Sequence, residues 1–410
     1  MAECSGKAFG RYLRTLRERR GLSLDDVRSL SQTFPEAITK SYLSRCENGY
    51  HKLALPKLIP LSRIYEVPAD AVLERMELDL ELDRLGGPET EGKSFAELFA
   101  AMKQKCDLGY LWEAYAYSRD ALARAATDPV QDRYRDAEEQ VALATLNVGT
   151  MATALGRFRF ALHESLFALN TGSLTPTNHA RACDRVAVVQ AKLGQLDMAE
   201  RYAQRAISTA MDNEDRLGLA FMYSTQARIA LARLDPRGAA ALFHKSYSLH
   251  RGLGNTERTV LALLSISECY LDMMRLGAAQ RFCDAAFRLL EDPPRSAAHG
   301  AALAVRGKIA EAEGRHDRAT AFWHEAADIA KGHRDRALRF KIDLFLFRRA
   351  LADADDPTAR AIQRRLRRLA PWIPAQTPEL GEFWDLVRSP RADASTAVAE
   401  RQLGTFPVSN

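Results

Sequence analysis

The segment ITKSYLSRCENG, residues 38–49, decides how the N-terminal part of this chain is interpreted. A threonine opens it and an Asn-Gly pair closes it, which predicts one capped helix of about two turns. Only Leu43 and Cys46 give this helix apolar surface. Its other face carries four polar or basic side chains, Lys40, Ser41, Ser44 and Arg45. So short a helix with so polar a face predicts a surface that meets a polar partner.

The flanking sequence extends this helix into a small all-α unit. Upstream, FGRYLRTLRERR (9–20) has apolar residues at helical spacing and ends at a glycine, and SLDD (23–26) is a capping box that opens a second helix. Downstream, LALPKLIPLSRIYEV (53–67) and PADAVL (68–73) show helical apolar spacing as well. The pattern predicts five short helices within residues 1–75.

Basic charge is concentrated in this same unit. Residues 1–65 hold 12 Lys and Arg against 6 Asp and Glu, a net charge of +6, whereas the whole chain carries +5. The remaining residues therefore hold 46 basic and 47 acidic side chains, a net charge of −1. A basic unit joined to a nearly neutral body predicts an anionic partner for that unit alone.

The order and spacing of FGRYLRTLRERRGLSLDDV, SYLSRCENG and LPKLIPLSRIYEVPADAVL resemble XRE-type, or phage-repressor-type, helix-turn-helix domains over residues 7–75. The resemblance implies that the third helix enters the DNA major groove, with its four polar residues (Lys40, Ser41, Ser44 and Arg45) facing bases. It also implies phosphate contacts by Tyr42, Asn48 and Lys52, and the N-cap Thr39 completes the predicted DNA-binding set. Chemistry agrees, because hydroxyls, amides and cations bind base edges and phosphates. One departure is the long turn between the second and third helices, QTFPE (32–36), which leaves their relative tilt open.

Beyond residue 94 the chain repeats with a period near 40. The segment GQLDMAERYAQRA (194–206) has small residues five and twelve positions after its glycine and an aromatic residue at position eight. The same template fits from six anchor residues, less well from the fourth and the fifth: Gly109, Gly156, Gly194, Leu234, Met274 and Gly314. Successive anchors are 47, 38, 40, 40 and 40 residues apart. Such a period predicts an α-solenoid, similar to tetratricopeptide repeats. The predicted fold class is all-α, a small five-helix DNA-binding domain followed by a right-handed α-solenoid of helix-pair repeats.

These patterns predict four segments. The helix-turn-helix domain covers 1–75, a linker with a Gly-Gly-Pro break covers 76–94, the tetratricopeptide-like repeats cover 95–388, and a flexible tail covers 389–410.

The first helix of each pair lines the concave face of such a solenoid. Counting back from the anchors gives a mixed polar and apolar groove, which suits an extended peptide. The candidate ligand-binding residues are Asn147, Thr150, Asp184, Arg185, Ser224, Arg228, Glu268 and Lys308. A solvated inner face, or one packed against another protein, remains the alternative.

Several function classes find no support in the sequence. There is no phosphate-binding loop, nucleophile elbow or zinc-ligand spacing, so we predict neither an enzyme nor a metal or cofactor site. Six scattered cysteines, the lack of a signal peptide and the lack of a membrane span predict a cytoplasmic protein. One basic stretch, ARAIQRRLRRLAPWI (359–373), is either a solvated helix face or a second anion contact.

The whole architecture resembles peptide-responsive quorum-sensing regulators of the Rgg and PlcR type. The resemblance implies a homodimeric transcription regulator that binds a two-fold DNA site and is gated by a signalling peptide or another small ligand. Two alternatives stay open: an adaptor whose repeats bind a partner protein, and a ligand-independent repressor whose repeats only dimerise.

Overall fold

The computed structural model describes residues 4–108, 110–132, 134–290, 296–333, 335–373 and 377–388. Within these ranges the chain is helical and contains no strand, so the all-α prediction is confirmed. None of these helices is long and apolar enough to cross a membrane. The predicted tail at 389–410 and the repeat anchor Gly109 lie outside the described residues.

The helices divide between two compact units, Met1–Leu193 and Gly194–Asn410. The first unit contains α1 Cys4–Arg19, α2 Leu24–Ser31, α3 Lys40–Glu47, α4 Leu55–Tyr65, α5 Ala69–Leu85, α6 Phe95–Asp107, α7 Leu111–Ala125, α8 Ala137–Ala154, α9 Phe158–Asn170 and α10 Pro176–Lys192. The second contains α11 Leu196–Asp212, α12 Arg216–Ala232, α13 Pro236–Gly252, α14 Thr256–Asp272, α15 Leu276–Leu289, α16 Ala297–Ala312, α17 His316–Gly332, α18 Arg336–Ala352, α19 Asp356–Leu369 and α20 Pro378–Arg388.

Local sequence signals set the helices of the head, which we define as α1–α5. The Ser23 hydroxyl accepts from the Asp26 N–H while the Asp26 carboxylate accepts from the Ser23 N–H, so the predicted capping box is present. The Thr39 hydroxyl accepts from the Tyr42 N–H at 3.2 Å and caps α3 as predicted. Buried apolar side chains from all five helices form the core, among them Leu13, Val27, Leu43, Leu61 and Leu78.

Glycines let α1 and the end of α3 meet backbone to backbone. A Cβ at Gly10 would lie 2.5 Å from the carbonyl oxygen of Cys46, closer than atoms of this kind approach. Gly49 ends α3 at φ +77°, and a Cβ there would lie 2.6 Å from the carbonyl carbon of Gly6. Glycine inside a helix costs about 1 kcal/mol relative to alanine, and the close approach explains why α1 contains it.

Helix α5 continues from the head into the first repeats. It spans Ala69–Leu85, so the predicted linker, 76–94, is helical as far as Leu85. It packs on α1 and also on α9. One apolar cluster contains head residues such as Tyr12 together with repeat residues such as Tyr115 and Phe160. The head and the first repeats therefore share a single core.

Small residues of the repeat template are buried between the helices, as predicted. Ala161 and Ala168 in the first unit are fully buried, as are Ala279 and Ala319 in the second. The larger side chain at position eight packs at the edge of the core and remains partly exposed, as Phe282 does.

The turns repeat every 20 residues, half of the predicted period. Helices α11 to α14 each have 17 residues and are joined by three-residue turns. The middle residue of each of these turns has a left-handed backbone conformation, and so do Gly314 and Ala354 in later turns. Four of these residues are not glycine and carry φ between 54° and 61°: Glu214, Leu234, Met274 and Ala354. The turns before and after α12, and those before and after α14, therefore have the same geometry.

Candidate nucleic-acid interface

A buried carboxylate holds α3 against α1. Glu47 is 3% exposed, and its two oxygens accept from Arg17 Nε at 2.7 Å and Nη2 at 2.8 Å. Arg17 Nη1 also donates to the Leu22 carbonyl at 2.8 Å, which ties in the turn before α2. Sequence reasoning missed this pair because its partners lie 30 residues apart and no local pattern connects them.

The opposite face of α3 is exposed and basic. Lys40 Nζ lies 2.6 Å from Asp25 Oδ2 in a pair whose two side chains are both more than half exposed. Arg45 Nη2 donates to the Ser41 hydroxyl at 2.8 Å, and its Nη1 lies 3.2 Å from His51 Nε2. Exposed ion pairs contribute only about 0–1 kcal/mol, so Asp25 holds the Lys40 ammonium group only weakly.

Tyr42 fixes the segment that follows α3. Its phenol oxygen accepts from the Ala54 N–H at 2.8 Å and donates to the Lys52 carbonyl at 3.4 Å. Its ring stacks on His51, with the two ring centroids 6.3 Å apart. The exposed Lys52 is therefore held beside the C-terminal end of α3, although its own side chain stays in solvent.

The exposed Asn48 side chain hydrogen-bonds to other residues of the head. Its Oδ1 accepts from Arg14 Nη2 at 2.8 Å, and its Nδ2 donates to the Ser44 carbonyl at 2.8 Å. The amide therefore closes the end of α3 and connects it to α1. Ser44, one turn earlier, is half-buried beneath this amide.

The long turn between α2 and α3 is closed at its base. The buried Ser31 hydroxyl donates to the Arg28 carbonyl at 2.8 Å and accepts from the Ile38 N–H at 2.9 Å. Ile38 is 1% exposed and packs into the head core. Lys57 Nζ supports the same loop by donating to the Ala37 carbonyl at 2.8 Å. The extra residues therefore bulge between two fixed ends, and the N-cap of α3 follows directly.

The eight candidate ligand residues all lie on the first helices of pairs, but they differ in what surrounds them. In the first unit, Asp184 is buried, Arg185 is exposed, and Asn147 and Thr150 are partly exposed. The Thr150 hydroxyl donates to the Leu146 carbonyl of its own helix at 2.9 Å. In the second unit, Arg228 is exposed, whereas the Ser224 hydroxyl lies 2.8 Å from that of Ser246 on α13. Ser224 is therefore turned toward its partner helix.

Glu268 and Lys308 form a charged cluster across three first helices of the second unit. Lys308 Nζ lies 2.8 Å from Glu268 Oε1, and Lys341 Nζ lies 3.9 Å from the same oxygen. Lys341 also approaches Glu379 of α20 at 4.0 Å. Burial alone would raise the pKa of Glu268, but the two ammonium groups lower it to about 2. Extending the 40-residue spacing one step beyond Gly314 leads to residue 354 and so to the preceding helix α18, which carries Lys341.

The fold and the polar face of α3 define a helix-turn-helix protein with tetratricopeptide-like repeats. Residues 8–76 match the family model HTH_31, described as a helix-turn-helix domain. Comparison with curated proteins found no match.

Solved structures share the repeat fold. A Rap protein complexed with Competence and Sporulation Factor is 14% identical with a TM-score of 0.53, over 75% of this chain and 90% of that chain. A signal transduction ATPase with a tetratricopeptide repeat sensor, from Pyrococcus horikoshii, is 12% identical with a TM-score of 0.51, over 91% of this chain and 55% of that one. PlcR from Bacillus thuringiensis, in complex with the peptide PapR7 and DNA, is 12% identical over 70% of this chain and 100% of that chain. Its TM-score is 0.39. The predicted helix-turn-helix domain and the predicted tetratricopeptide-like repeat fold are confirmed.

Proposed function

We propose that this protein is a sequence-specific DNA-binding transcription regulator. The observation that carries the proposal is the exposed face of α3, where Lys40, Ser41 and Arg45 stand free of the core on a helix that Glu47 holds from behind. Long cations and short hydroxyls on one helical face are the groups that bind base edges in the major groove. The net charge of +6 over residues 1–65 supplies the attraction to phosphates.

A selection of genomic fragments tests this function. Purified protein is incubated with sheared DNA at near-physiological salt, beside a Lys40→Ala/Arg45→Ala variant, and the bound fragments are sequenced. We expect a two-fold motif with the wild-type chain and no motif with the variant. Recovery of the same motif by both proteins would contradict the assignment of α3 as the base-reading helix.

We further propose that the protein acts in the cytoplasm as a homodimer whose repeats bind a peptide or another small ligand. The charged cluster of Glu268, Lys308 and Lys341 supports a ligand with charged ends, because an incoming carboxylate or ammonium group can take the place of one partner. A ligand that also contacts the predicted groove residues of the first unit, Asn147, Thr150, Asp184 and Arg185, would be coupled to the head, because the first repeats share a core with it.

Ligand capture tests the gating. A random library of short peptides is passed over the wild-type chain and over a Glu268→Gln/Lys308→Met variant, which keeps the net charge. Peptides retained by the wild type alone, and raising its melting temperature, support gating. If no peptide is captured, the result favours the alternative of a ligand-independent repressor whose repeats only dimerise. Co-purification of a protein on the same surface favours the adaptor alternative. Analytical ultracentrifugation with and without a duplex carrying the motif tests the dimer.

A further inference from the structure

Helix α19 presents arginines that the fold does not use. Residues 356–373 contain five arginines and one aspartate. Arg365 has a structural partner, because its Nη2 lies 2.9 Å from Oδ1 of the fully buried Asp343. The other four are exposed and pair with no carboxylate in the part of the chain that the structure describes: Arg360, Arg364, Arg367 and Arg368.

These side chains surround a shallow concavity. Its volume is ≈ 660 Å³, and it is lined by Ala361, Arg364, Arg365, Arg367 and Arg368. Arg360, Arg364 and Arg368 follow each other at intervals of four residues, which places successive Cα atoms about 6 Å apart along the helix.

The arrangement does not serve the stability of the helix. Cations near a helix C-terminus are favourable by about 0.3–1 kcal/mol, which accounts for Arg367 and Arg368 in the last turn. Like charges four residues apart oppose this gain, by about 0.2–0.5 kcal/mol for each pair. Arg360 and Arg364 lie earlier in the helix, so neither the helix dipole nor an ion pair explains them.

We propose that this α19 arginine patch, which we define as Arg360, Arg364, Arg367 and Arg368, is a second DNA contact that binds the phosphate backbone. The inference rests on the proposed DNA-binding function, because a chain held on DNA by its head encounters phosphates at high local concentration. A guanidinium fork binds phosphate oxygens bidentately, and the patch contains no lysine. One DNA strand presents a charge about every 3.4 Å of helix axis, so a row of arginines about 6 Å apart spans several phosphates. Phosphate contacts carry no sequence information, so the patch adds affinity without sequence preference.

The salt dependence of DNA binding tests the patch. Full-length protein is titrated with a motif-bearing duplex and a random duplex over a range of salt concentrations. The test variant is Arg364→Gln/Arg367→Gln/Arg368→Gln. A matched control, Arg237→Gln/Arg281→Gln/Arg318→Gln, removes the same charge from three exposed arginines on three other helices.

We expect the test variant to lower the slope of log affinity against log salt concentration by about 2–3. Its affinity for both duplexes should fall at least about tenfold. The ratio of the affinities for the two duplexes should stay unchanged, and the control variant should bind like the wild type. An Arg364→Lys/Arg367→Lys/Arg368→Lys variant should retain most of the slope, because charge is preserved while the fork is lost. Test and control variants with equal slopes would overturn the proposal.

This design separates the patch from the proposed function of the head. If the wild type shows no preference for any motif, sequence-specific binding fails, yet the slope on the random duplex still decides the patch. If Lys40→Ala/Arg45→Ala removes the preference while the slope change of the patch variant persists, the two contacts are independent and both proposals stand. Wild-type protein that binds no duplex at low salt would refute both.

Discussion

Arg19 on the last turn of α1 and Glu164 on α9 form a two-pronged ion pair that connects the head to the first repeats. Arg19 Nη1 lies 3.1 Å from Glu164 Oε1, and Nη2 lies 3.0 Å from Oε2. Glu164 is 1% exposed, and the guanidinium carbon of Arg19 stands 3.7 Å from the centroid of the Phe167 ring. Because 145 residues separate the partners, the pair constrains the fold over a long range.

Removing one side of this pair should destabilise the first unit. Arg19→Ala leaves the Glu164 carboxylate buried without its cation, which typically costs about 3–5 kcal/mol. The double variant Arg19→Leu/Glu164→Leu should recover much of this stability, since no charge remains buried. Urea unfolding measures both. Arg20→Ala, which breaks an exposed pair with Glu66, is the control and should change stability by less than about 1 kcal/mol. A similar destabilisation in both single variants would contradict a special role for Glu164.

Glu139 makes the first unit sensitive to acid. Its carboxylate, 1% exposed, accepts from the N–H groups of Arg135 at 2.8 Å and Thr175 at 3.0 Å and from Asn178 Nδ2 at 2.9 Å. Burial would raise the pKa of Glu139, but these donors lower it to about 2.

The sign of the pH effect follows from this lowered pKa. An unfolded glutamate has a pKa of about 4.3, so Glu139 contributes stability that is fully present above that pH and is lost as the pH falls toward 2. Glu139→Gln should cost about 1–3 kcal/mol at neutral pH and flatten the decline of stability between about pH 5 and 2. Chemical denaturation across this range measures the effect, with the exposed neighbour Glu138→Gln as control. Parallel curves for wild type and Glu139→Gln would refute the assignment.

Gly10→Ala should disrupt the head, although alanine favours helices. The added methyl group would lie 2.5 Å from the Cys46 carbonyl oxygen, so α1 and α3 must separate. We expect a destabilisation of at least about 2 kcal/mol and weaker DNA binding. Gly277→Ala is the matched control, because its Cβ meets nothing within 4 Å, and it should stabilise α15 by up to about 1 kcal/mol. Thermal unfolding of the two variants should therefore shift in opposite directions.

The left-handed turn residues predict opposite effects at equivalent positions. Gly194→Ala puts a side chain at φ +76° and should cost about 1 kcal/mol. Leu234→Gly relieves the same strain at φ +61° and removes a leucine that is 60% exposed. It should be neutral or stabilising by less than about 1 kcal/mol, because glycine also gains freedom in the unfolded chain. Denaturant midpoints that fall equally in both variants would contradict the strain argument.

Two substitutions in the head should separate base recognition from phosphate binding. Lys40→Ala/Arg45→Ala should reduce the preference for the motif by about 1–3 kcal/mol for each base that the variant no longer reads. Lys52→Ala should instead weaken all duplexes nearly equally and lower the salt slope by about 1. Binding to motif and random duplexes at several salt concentrations measures both. Equal weakening on every sequence in the double variant would remove the base-reading role of α3.

The sequence predicted the helices and the repeat type because both depend on local signals. The capping box at Ser23, the N-cap at Thr39 and the buried alanines of the template each act within a turn or one helix pair. The 20-residue period was missed because the template covers only the turn before each second helix, and the left-handed residue of the intervening turn at Glu214 is not a glycine.

The long-range ion pairs were not predicted, for a different reason. No local pattern shows that Glu47 faces Arg17 or that Glu164 faces Arg19. One trace did exist: Glu164 stands at position eight of the repeat template, where other repeats have an aromatic or aliphatic side chain. The exception to the repeat is the residue that binds the head.

The continuous helix α5 limits how the head can be recombined with other repeat domains. A chimera joined at residue 75 would cut the helix between Arg75 and Asp79, whose side chains pair at 2.8 Å in the interior. The severed head would expose apolar partners of Leu78 and Leu82 that are covered in the intact chain. The head alone is therefore not a transferable domain. To graft a new binding specificity onto foreign repeats, the segment to transfer is the compact unit of residues 1–193.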